Sequence, residues 1–248
     1  MDTLDAALSL GAHPPVARSL AGEINWNPLI LNFGDAHRPG HRPGDGWRNG
    51  DFTQSESLCY RTSLATSLEK ARWPLPYFSA IYSPYVVVIR GPWETGDELL
   101  DIDSPHTLPV VSAITASMIW QPEKRSFNIP SGPDFRKKWI FRWDGDRHAT
   151  KDRMRLVLRL SAYHRHPRIV LGAIGCGINT YQNPAEDMAH CWLEVLREDE
   201  FSSACWWTDV VFAVLDKPGT RAEDSNYRIF KRVLHGQMVG GCDWLHDD

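Results

Sequence analysis

The sequence of 248 residues lacks the features of several specialised protein classes. No apolar run reaches the roughly 18 residues that a membrane-spanning helix needs, and Met1 to Asp5 lack the basic start of a secretory signal. We therefore expect a cytoplasmic or nuclear protein with no membrane partner. No strong excess of one charge is present either: the formal net charge is -4, which argues against direct binding of nucleic acid.

Metal and disulfide signatures are also missing. The five cysteines are scattered and include no C-x-x-C pair, which predicts neither a disulfide framework nor a structural zinc site. His164 and His166 have no acidic third ligand nearby, and we interpret them as solvated histidines at a helix end. A Walker loop, a G-x-S-x-G elbow and an H-E-x-x-H motif are absent. We expect no metal and no cofactor.

The sequence does contain apolar strands that alternate with amphipathic helices. Strands are predicted at 28–33, 85–89, 108–114, 168–173 and 210–215, and helices at 54–70, at 151–164, after an Asn183 cap and at 226–234. Residues 118–148, interrupted by prolines, are predicted to form an irregular insertion with one short strand around 139–141. Strands that are apolar on both faces indicate a sheet covered on both sides, so we predict one three-layer α/β/α domain over residues 1–248.

One candidate site is the glycine-rich segment between the strand at 168–173 and the following helix. Gly172, Gly175 and Gly177 would let the backbone approach a ligand closely, and exposed N–H groups together with the helix dipole favour a phosphate. A tight turn with no ligand explains the same spacing. Cys176 could be a thiolate nucleophile at a helix start, but we interpret it as a small residue that fills the loop.

A second candidate site begins at Gly44-Asp45-Gly46 and continues into Thr53-Gln54-Ser55-Glu56. Here a glycine-containing loop leads into a helix whose first turn holds Glu56. The last four residues also match a capping box, in which Glu56 bonds back to the Thr53 backbone. Taken alone, this pattern favours a cap over a catalytic group.

Together, the two segments resemble the microbial-type poly(ADP-ribose) glycohydrolase family, a branch of the macrodomain fold. That family carries a triple-glycine loop, six to eight further residues and then Gln-Glu-Glu. In this chain, Gly44-Asp45-Gly46 is followed by seven residues and then by Gln54-Ser55-Glu56. Further blocks similar to the family occur in order at 31–36, 57–64, 81–84, 170–177, 183–184 and 211–214.

The resemblance implies a macrodomain-like fold with a mixed central sheet, and it assigns roles to individual residues. Glu56 matches the catalytic glutamate. The residues implied to hold the distal ribose are Asp35, Gly44, Asp45, Gly46, Gln54 and Ser55. The loop implied to wrap the diphosphate comprises Gly175, Cys176, Gly177, Ile178, Asn179, Thr180 and Tyr181, with Tyr181 packing on the ribose. The chain departs from the family at Asp35, Asp45 and Ser55, where the family has Asn, Gly and Glu, and its diphosphate loop is longer.

The implied function is hydrolysis of the O-glycosidic bond of poly- or protein-linked mono-ADP-ribose, with release of ADP-ribose. The expected partners are ADP-ribose or an ADP-ribosylated protein, and the expected state is a monomer. Two alternatives stay open: a non-catalytic reader that binds ADP-ribose, and a hydrolase of a free ADP-ribose derivative. The departures at Asp45 and Ser55 bear on polymer cleavage more than on ADP-ribose binding.

Overall fold

The structure is a computed structural model that describes residues 2–11, 24–40, 53–92, 95–131, 134–177, 180–216, 220 and 225–239. The chain forms two compact units. The first lies within residues 1–117, 159–172 and 207–213, and the second within 118–158, 173–206 and 214–248. The single domain expected from the sequence remains a prediction.

Seven α-helices, a 3₁₀ turn at Pro105–Thr107 and seven strands are found among the described residues. The helices are α1 (Thr3–Ser9), α2 (Gln54–Arg61), α3 (Leu64–Glu69), α4 (Asp144–Tyr163), α5 (Ala185–Leu196), α6 (Asp199–Ser202) and α7 (Asn226–Leu234). The strands are β1 (Leu29–Phe33), β2 (Ile81–Val87), β3 (Val110–Ala116), β4 (Lys124–Ser131), β5 (Asp134–Phe141), β6 (Arg168–Gly172) and β7 (Asp209–Ala213).

The first unit contains a five-stranded mixed sheet in the order β2-β3-β1-β6-β7. Strand β1 runs parallel to β3 and β6, β6 runs parallel to β7, and β2 is antiparallel to β3. Ile30 in β1 aligns with Ala113 and Val170, and these residues share a buried cluster with residues of α1, α2 and α3. Leu31 and Ile169, which alternate with them, are buried as well. The predicted α/β fold, with a mixed central sheet covered on both faces, is confirmed.

The second unit corrects the prediction for residues 118–148. This segment is not irregular, because β4 and β5 form a regular antiparallel hairpin in which Pro130 pairs with Phe135. In a two-stranded sheet each strand is an edge, so a proline without an N–H group is tolerated. Helix α5 packs against β5 and α7. Its first-turn acids are buried and ion-paired, Glu186 with Arg136 and Arg232 and Asp187 with Arg147.

Several predicted element boundaries were wrong. The helix predicted at 54–70 is interrupted at Thr62, whose extended backbone forms a β-bridge with Val88. Strand β2 begins at Ile81 rather than at Tyr85. Its pairing with β3 continues past a β-bulge between Ser83 and Val86, which contains Tyr85 (φ 54°). Helix α4 begins at Asp144, earlier than predicted. The cap of α5 is Pro184, and the Asn183 side chain bonds to carbonyl groups instead.

The histidine prediction was wrong for one residue. His166 is fully buried rather than solvated: its Nδ1 lies 2.9 Å from the Asn27 carbonyl oxygen, and its Nε2 lies 2.8 Å from the Tyr82 hydroxyl. These partners assign a neutral ring that donates from Nδ1 and accepts at Nε2. His166, two positions before β6, is therefore part of the packing of the first unit.

One described cysteine departs from the sequence prediction. Cys59, Cys176 and Cys191 are free and buried, whereas Cys205 is disulfide-bonded, which the cysteine spacing did not predict.

Among the described residues, no cluster of three or more His, Cys, Asp or Glu side chains could hold a metal ion. None of the helices in this part of the chain combines the length and the apolar composition needed to cross a bilayer.

Candidate active site

Gln54 connects the start of α2 to the end of β1. Its Oε1 accepts a hydrogen bond from the Phe33 N–H at 2.9 Å. Its Nε2 donates to the Leu31 carbonyl oxygen at 2.8 Å and to Thr3 Oγ1 at 3.0 Å. The amide thus holds the first turn of α2 against the carboxyl end of β1, the sheet edge where α/β proteins bind ligands.

Glu56 lies two residues further along α2 and is half-buried. Its Oε2 accepts from the Thr53 N–H at 2.8 Å and from the Thr53 hydroxyl at 2.9 Å, and Thr53 Oγ1 accepts from the Glu56 N–H at 3.3 Å. The predicted capping box is therefore present. No described residue donates to Oε1, so one carboxylate oxygen remains available for chemistry.

Ser55 lies between these two residues and faces the backbone of Gly40. It is buried, and its hydroxyl has no hydrogen-bond partner among the described residues. A Cβ atom placed on Gly40 would lie only 2.0 Å from Ser55 Oγ. Gly40 therefore has no room for a side chain against Ser55.

The end of β1 places further polar groups near this edge. Asp35 is half-buried, and its Oδ1 accepts from the His37 N–H at 2.7 Å, which fixes a tight turn. Asn32 is fully buried, and its Nδ2 donates to Thr115 Oγ1 at 2.9 Å. The Asn32 Oδ1 has no partner among the described residues. Sequence reasoning did not select Asn32, although a polar residue in an apolar strand was the available signal.

The glycine-rich loop after β6 belongs to the second unit and is braced by Asn183. The Asn183 Nδ2 donates to the carbonyl oxygens of Ile119 and Gly175, and its N–H donates to the Gly175 carbonyl at 2.9 Å. Gly175 has φ +75°, and a Cβ atom there would lie 2.9 Å from both Asn183 Nδ2 and Met118 Cβ. Only glycine fits that position without strain.

The same loop leaves backbone donors unused. The N–H groups of Gly175 and Gly177 bond to no described residue, whereas those of Cys176 and Thr180 bond within the loop. Gly177 is exposed, and a Cβ atom on it would lie 2.5 Å from Thr180 Oγ1 and within 4 Å of no residue but Thr180 in the described part of the chain. Glu186 and Asp187 place two carboxylates in the first turn of α5, which opposes binding of an anion at that helix end. The loop N–H groups are therefore the better candidate donors to an anion.

Two residues outside the predicted set lie against this loop. The Trp120 ring is 59% exposed and meets the Tyr181 ring edge-on, with 5.0 Å between centroids. The Gln121 N–H donates to the Tyr181 carbonyl oxygen at 2.9 Å, and its Nε2 donates to the Thr180 carbonyl oxygen at 3.2 Å. These contacts fix the position of Tyr181. Sequence reasoning missed them because they come from the 118–148 segment.

The described cysteines near the two segments are not poised for nucleophilic chemistry. Burial raises the pKa of the Cys176 thiol, which lies 3.7 Å from the Ile174 carbonyl oxygen. Burial, with a smaller contribution from the nearby Glu56 carboxylate, raises the pKa of Cys59 to about 12. Both thiols stay protonated at neutral pH, in keeping with the interpretation of Cys176 as a small space-filling residue.

Some predicted site residues lie outside the described residues. They are Gly44, Asp45 and Gly46 of the first segment and Ile178 and Asn179 of the second. The substrate contacts of the other predicted residues remain predictions.

Comparisons with known proteins agree with the resemblance seen in the sequence. A family model described as the catalytic domain of microbial-type PARG matches residues 1–91. Poly(ADP-ribose) glycohydrolase from Deinococcus radiodurans in complex with ADP-ribose is 24% identical, with a TM-score of 0.63 and coverage of 94% of this chain and 81% of that chain. The enzyme from Thermomonospora curvata bound to the inhibitor ADP-HPD is 26% identical, with a TM-score of 0.61 and coverage of 93% and 75%. No curated protein matches. The chain is thus similar in sequence to the microbial-type PARG catalytic domain over residues 1–91, and similar in fold to bacterial poly(ADP-ribose) glycohydrolases over most of its length.

Proposed function

We propose that this protein is an ADP-ribosyl hydrolase. It cleaves the O-glycosidic bond of poly- or protein-linked mono-ADP-ribose and releases ADP-ribose. The observation that carries the proposal is the Glu56 carboxylate, held at the carboxyl end of β1 by the neighbouring Gln54 amide, with one oxygen unengaged by any described residue. The relatives from Deinococcus and Thermomonospora, which bind ADP-ribose and ADP-HPD, support the same assignment.

In the proposed reaction Glu56 acts first as an acid and then as a base. The protonated carboxyl donates its proton to the leaving oxygen while the bond from that oxygen to the anomeric carbon breaks. The carboxylate that remains takes a proton from water, and the water oxygen bonds to the oxocarbenium-like carbon. Glu56 thus gives one proton and regains one, so it ends the reaction protonated as it began. The scheme uses only protein groups and water.

We propose that the loop from Gly175 to Tyr181 binds the diphosphate of the ADP-ribosyl group. The N–H groups of Gly175 and Gly177, which bond to no described residue, support this role, because backbone N–H groups in tight turns form anion-binding concavities. The Tyr181 ring would rest on the sugar, since it packs against Trp120 and the Tyr181 carbonyl oxygen accepts from the Gln121 N–H. The contacts proposed for the residues outside the described part of the chain rest on the family resemblance.

The substitution Glu56→Gln tests the proposal. A glutamine can keep the capping box with Thr53 but cannot exchange a proton, so the helix start is preserved while the acid is lost. We expect release of ADP-ribose to fall by about 10²- to 10⁴-fold, while calorimetry shows ADP-ribose binding unchanged. Glu69→Gln, which alters an exposed glutamate at the end of α3, is the matched control and should keep full activity.

A non-catalytic reader is the second candidate, and one observation favours it. The Oε2 atom of Glu56 already accepts two hydrogen bonds from Thr53, as a purely structural cap would. A reader would bind ADP-ribose without turnover of any ADP-ribosylated substrate. The single-domain organisation, the monomeric state and the cytoplasmic or nuclear location expected from the sequence remain predictions, as does the absence of nucleic-acid binding.

A further inference from the structure

The β4–β5 hairpin concentrates positive charge in a chain that is acidic as a whole. Residues 123–142 contain six basic side chains and two acidic ones, a net charge of +4. The whole chain carries -4, so the residues outside this segment carry -8. The basic residues are Lys124, Arg125, Arg136, Lys137, Lys138 and Arg142, and the acidic ones are Glu123 and Asp134.

The strand register sorts these side chains onto two faces. Arg136 and Lys138 share the face towards α5, where Arg136 forms an ion pair with Glu186 and Lys138 is only half-exposed. The opposite face has buried Phe141 and half-buried Lys124 at its base, and its remaining side chains, here called the outer face, are exposed. They are Ser126, Asn128 and Pro130 on β4 and Phe135, Lys137 and Trp139 on β5.

The outer face alternates aromatic rings with a cation. Phe135 is 72% exposed and Trp139 is 45% exposed, and Lys137 lies between them on the same strand. Successive side chains on one strand face are about 7 Å apart, so the cation is flanked by a ring on each side. Lys137 forms no ion pair with any carboxylate of the described residues.

This alternation suits a ligand in which bases alternate with phosphates. Exposed aromatic rings stack on bases of any identity, and lysine pairs with phosphate oxygens. A second copy of this chain is a poor occupant, because two copies of the face would bring like charges together. Nucleic acid that spreads over the protein would meet the -8 carried by the residues outside the hairpin.

We propose that the outer face of the hairpin binds an ADP-ribose unit of a poly(ADP-ribose) chain other than the unit being cleaved. This inference rests on the proposed function, since it assumes that such polymers reach the active site. The consequence is a preference for polymer over mono-ADP-ribosylated protein, even though Ser55 replaces a glutamate of the family signature.

The test uses the double substitution Phe135→Ala with Lys137→Ala in a Glu56→Gln background, which binds without turnover. We expect affinity for poly(ADP-ribose), measured by fluorescence anisotropy, to fall at least tenfold. The slope of log affinity against log salt should fall by about one, and affinity for ADP-ribose itself should stay within twofold. Lys138→Gln on the opposite face is the matched control and should change neither affinity. Phe135 and Lys137 are both exposed, so the double variant should melt at the same temperature as the Glu56→Gln protein.

Several outcomes overturn the inference. They are an unchanged affinity for polymer, an equal loss of affinity for ADP-ribose, or tighter binding of a single-stranded DNA of equal charge or of phosphatidylserine vesicles than of polymer. Steady-state kinetics of proteins that retain Glu56 distinguish failure of this inference from failure of the proposed function. If ADP-ribose is released but the double variant keeps the wild-type KM for polymer, only the inference fails. If no ADP-ribosylated substrate is turned over, the proposed function fails.

Discussion

Replacement of Gln54 by leucine tests whether this residue positions α2, the helix that carries the proposed catalytic Glu56, or contacts substrate. The leucine keeps the approximate size but removes three hydrogen bonds, to the Phe33 N–H, the Leu31 carbonyl and the Thr3 hydroxyl. At about 0.5–1.5 kcal/mol each, and with a half-buried side chain, the free energy of unfolding should fall by about 2–4 kcal/mol. A domain of ordinary stability remains folded after such a loss.

The effect on catalysis should exceed the effect on binding. Without its amide anchor the first turn of α2 can shift against β1, and a misplacement near 1 Å at a catalytic group costs about 100-fold. We expect kcat to fall at least tenfold while KM changes less than threefold. Thr3→Val is the graded control, because it removes one of the three bonds and should cost about 1 kcal/mol with little change in kcat.

Urea unfolding and steady-state kinetics on the three proteins give both quantities. A Gln54→Leu variant with wild-type stability and a raised KM would refute the positioning role. That result would instead show that the amide contacts substrate, as the family resemblance implied.

Two further predictions concern the glycine loop and the buried histidine. Gly175→Ala should lower the free energy of unfolding by about 2 kcal/mol, because its φ of +75° and the nearby Asn183 and Met118 leave no room. Gly177→Ala should cost less stability than Gly175→Ala, because its Cβ would clash only with the Thr180 side chain, which can rotate, yet it should weaken ADP-ribose binding in calorimetry; equal behaviour of the two variants would contradict this account of the loop. Burial lowers the pKa of His166 from 6.5 to about 4, so the unfolded chain binds a proton that the folded chain excludes, and stability should fall by up to about 3 kcal/mol as the pH drops from 6.5 to 4. His166→Asn should lose this part of the pH dependence in urea unfolding, whereas His148→Asn, at an exposed histidine, should retain it.

The sequence allowed the fold class and the buried core strands to be predicted, because those strands are apolar on both faces. Ile30 and Val170 lie in such runs, and both are buried in the central sheet. The capping box at Thr53 and Glu56 was also predictable, since it depends on residues three positions apart. Local patterns of this kind do not require knowledge of distant contacts.

Features that depend on distant contacts could not be predicted. The β4–β5 hairpin was hidden by its prolines, which a two-stranded edge tolerates. The burial of His166 follows from Tyr82 and Asn27, which are far from it in sequence. The role of Gln54 depends on Thr3 and on the end of β1, neither of which its own neighbourhood reveals.

The account depends most directly on whether this chain turns over an ADP-ribosylated substrate through Glu56. Mono- and poly-ADP-ribosylated proteins are incubated side by side with the wild type and with Glu56→Gln, and free ADP-ribose is quantified over time. We predict release by the wild type and a loss of at least about 100-fold in the variant. No release by the wild type from either substrate, or undiminished release by the variant, would contradict the account.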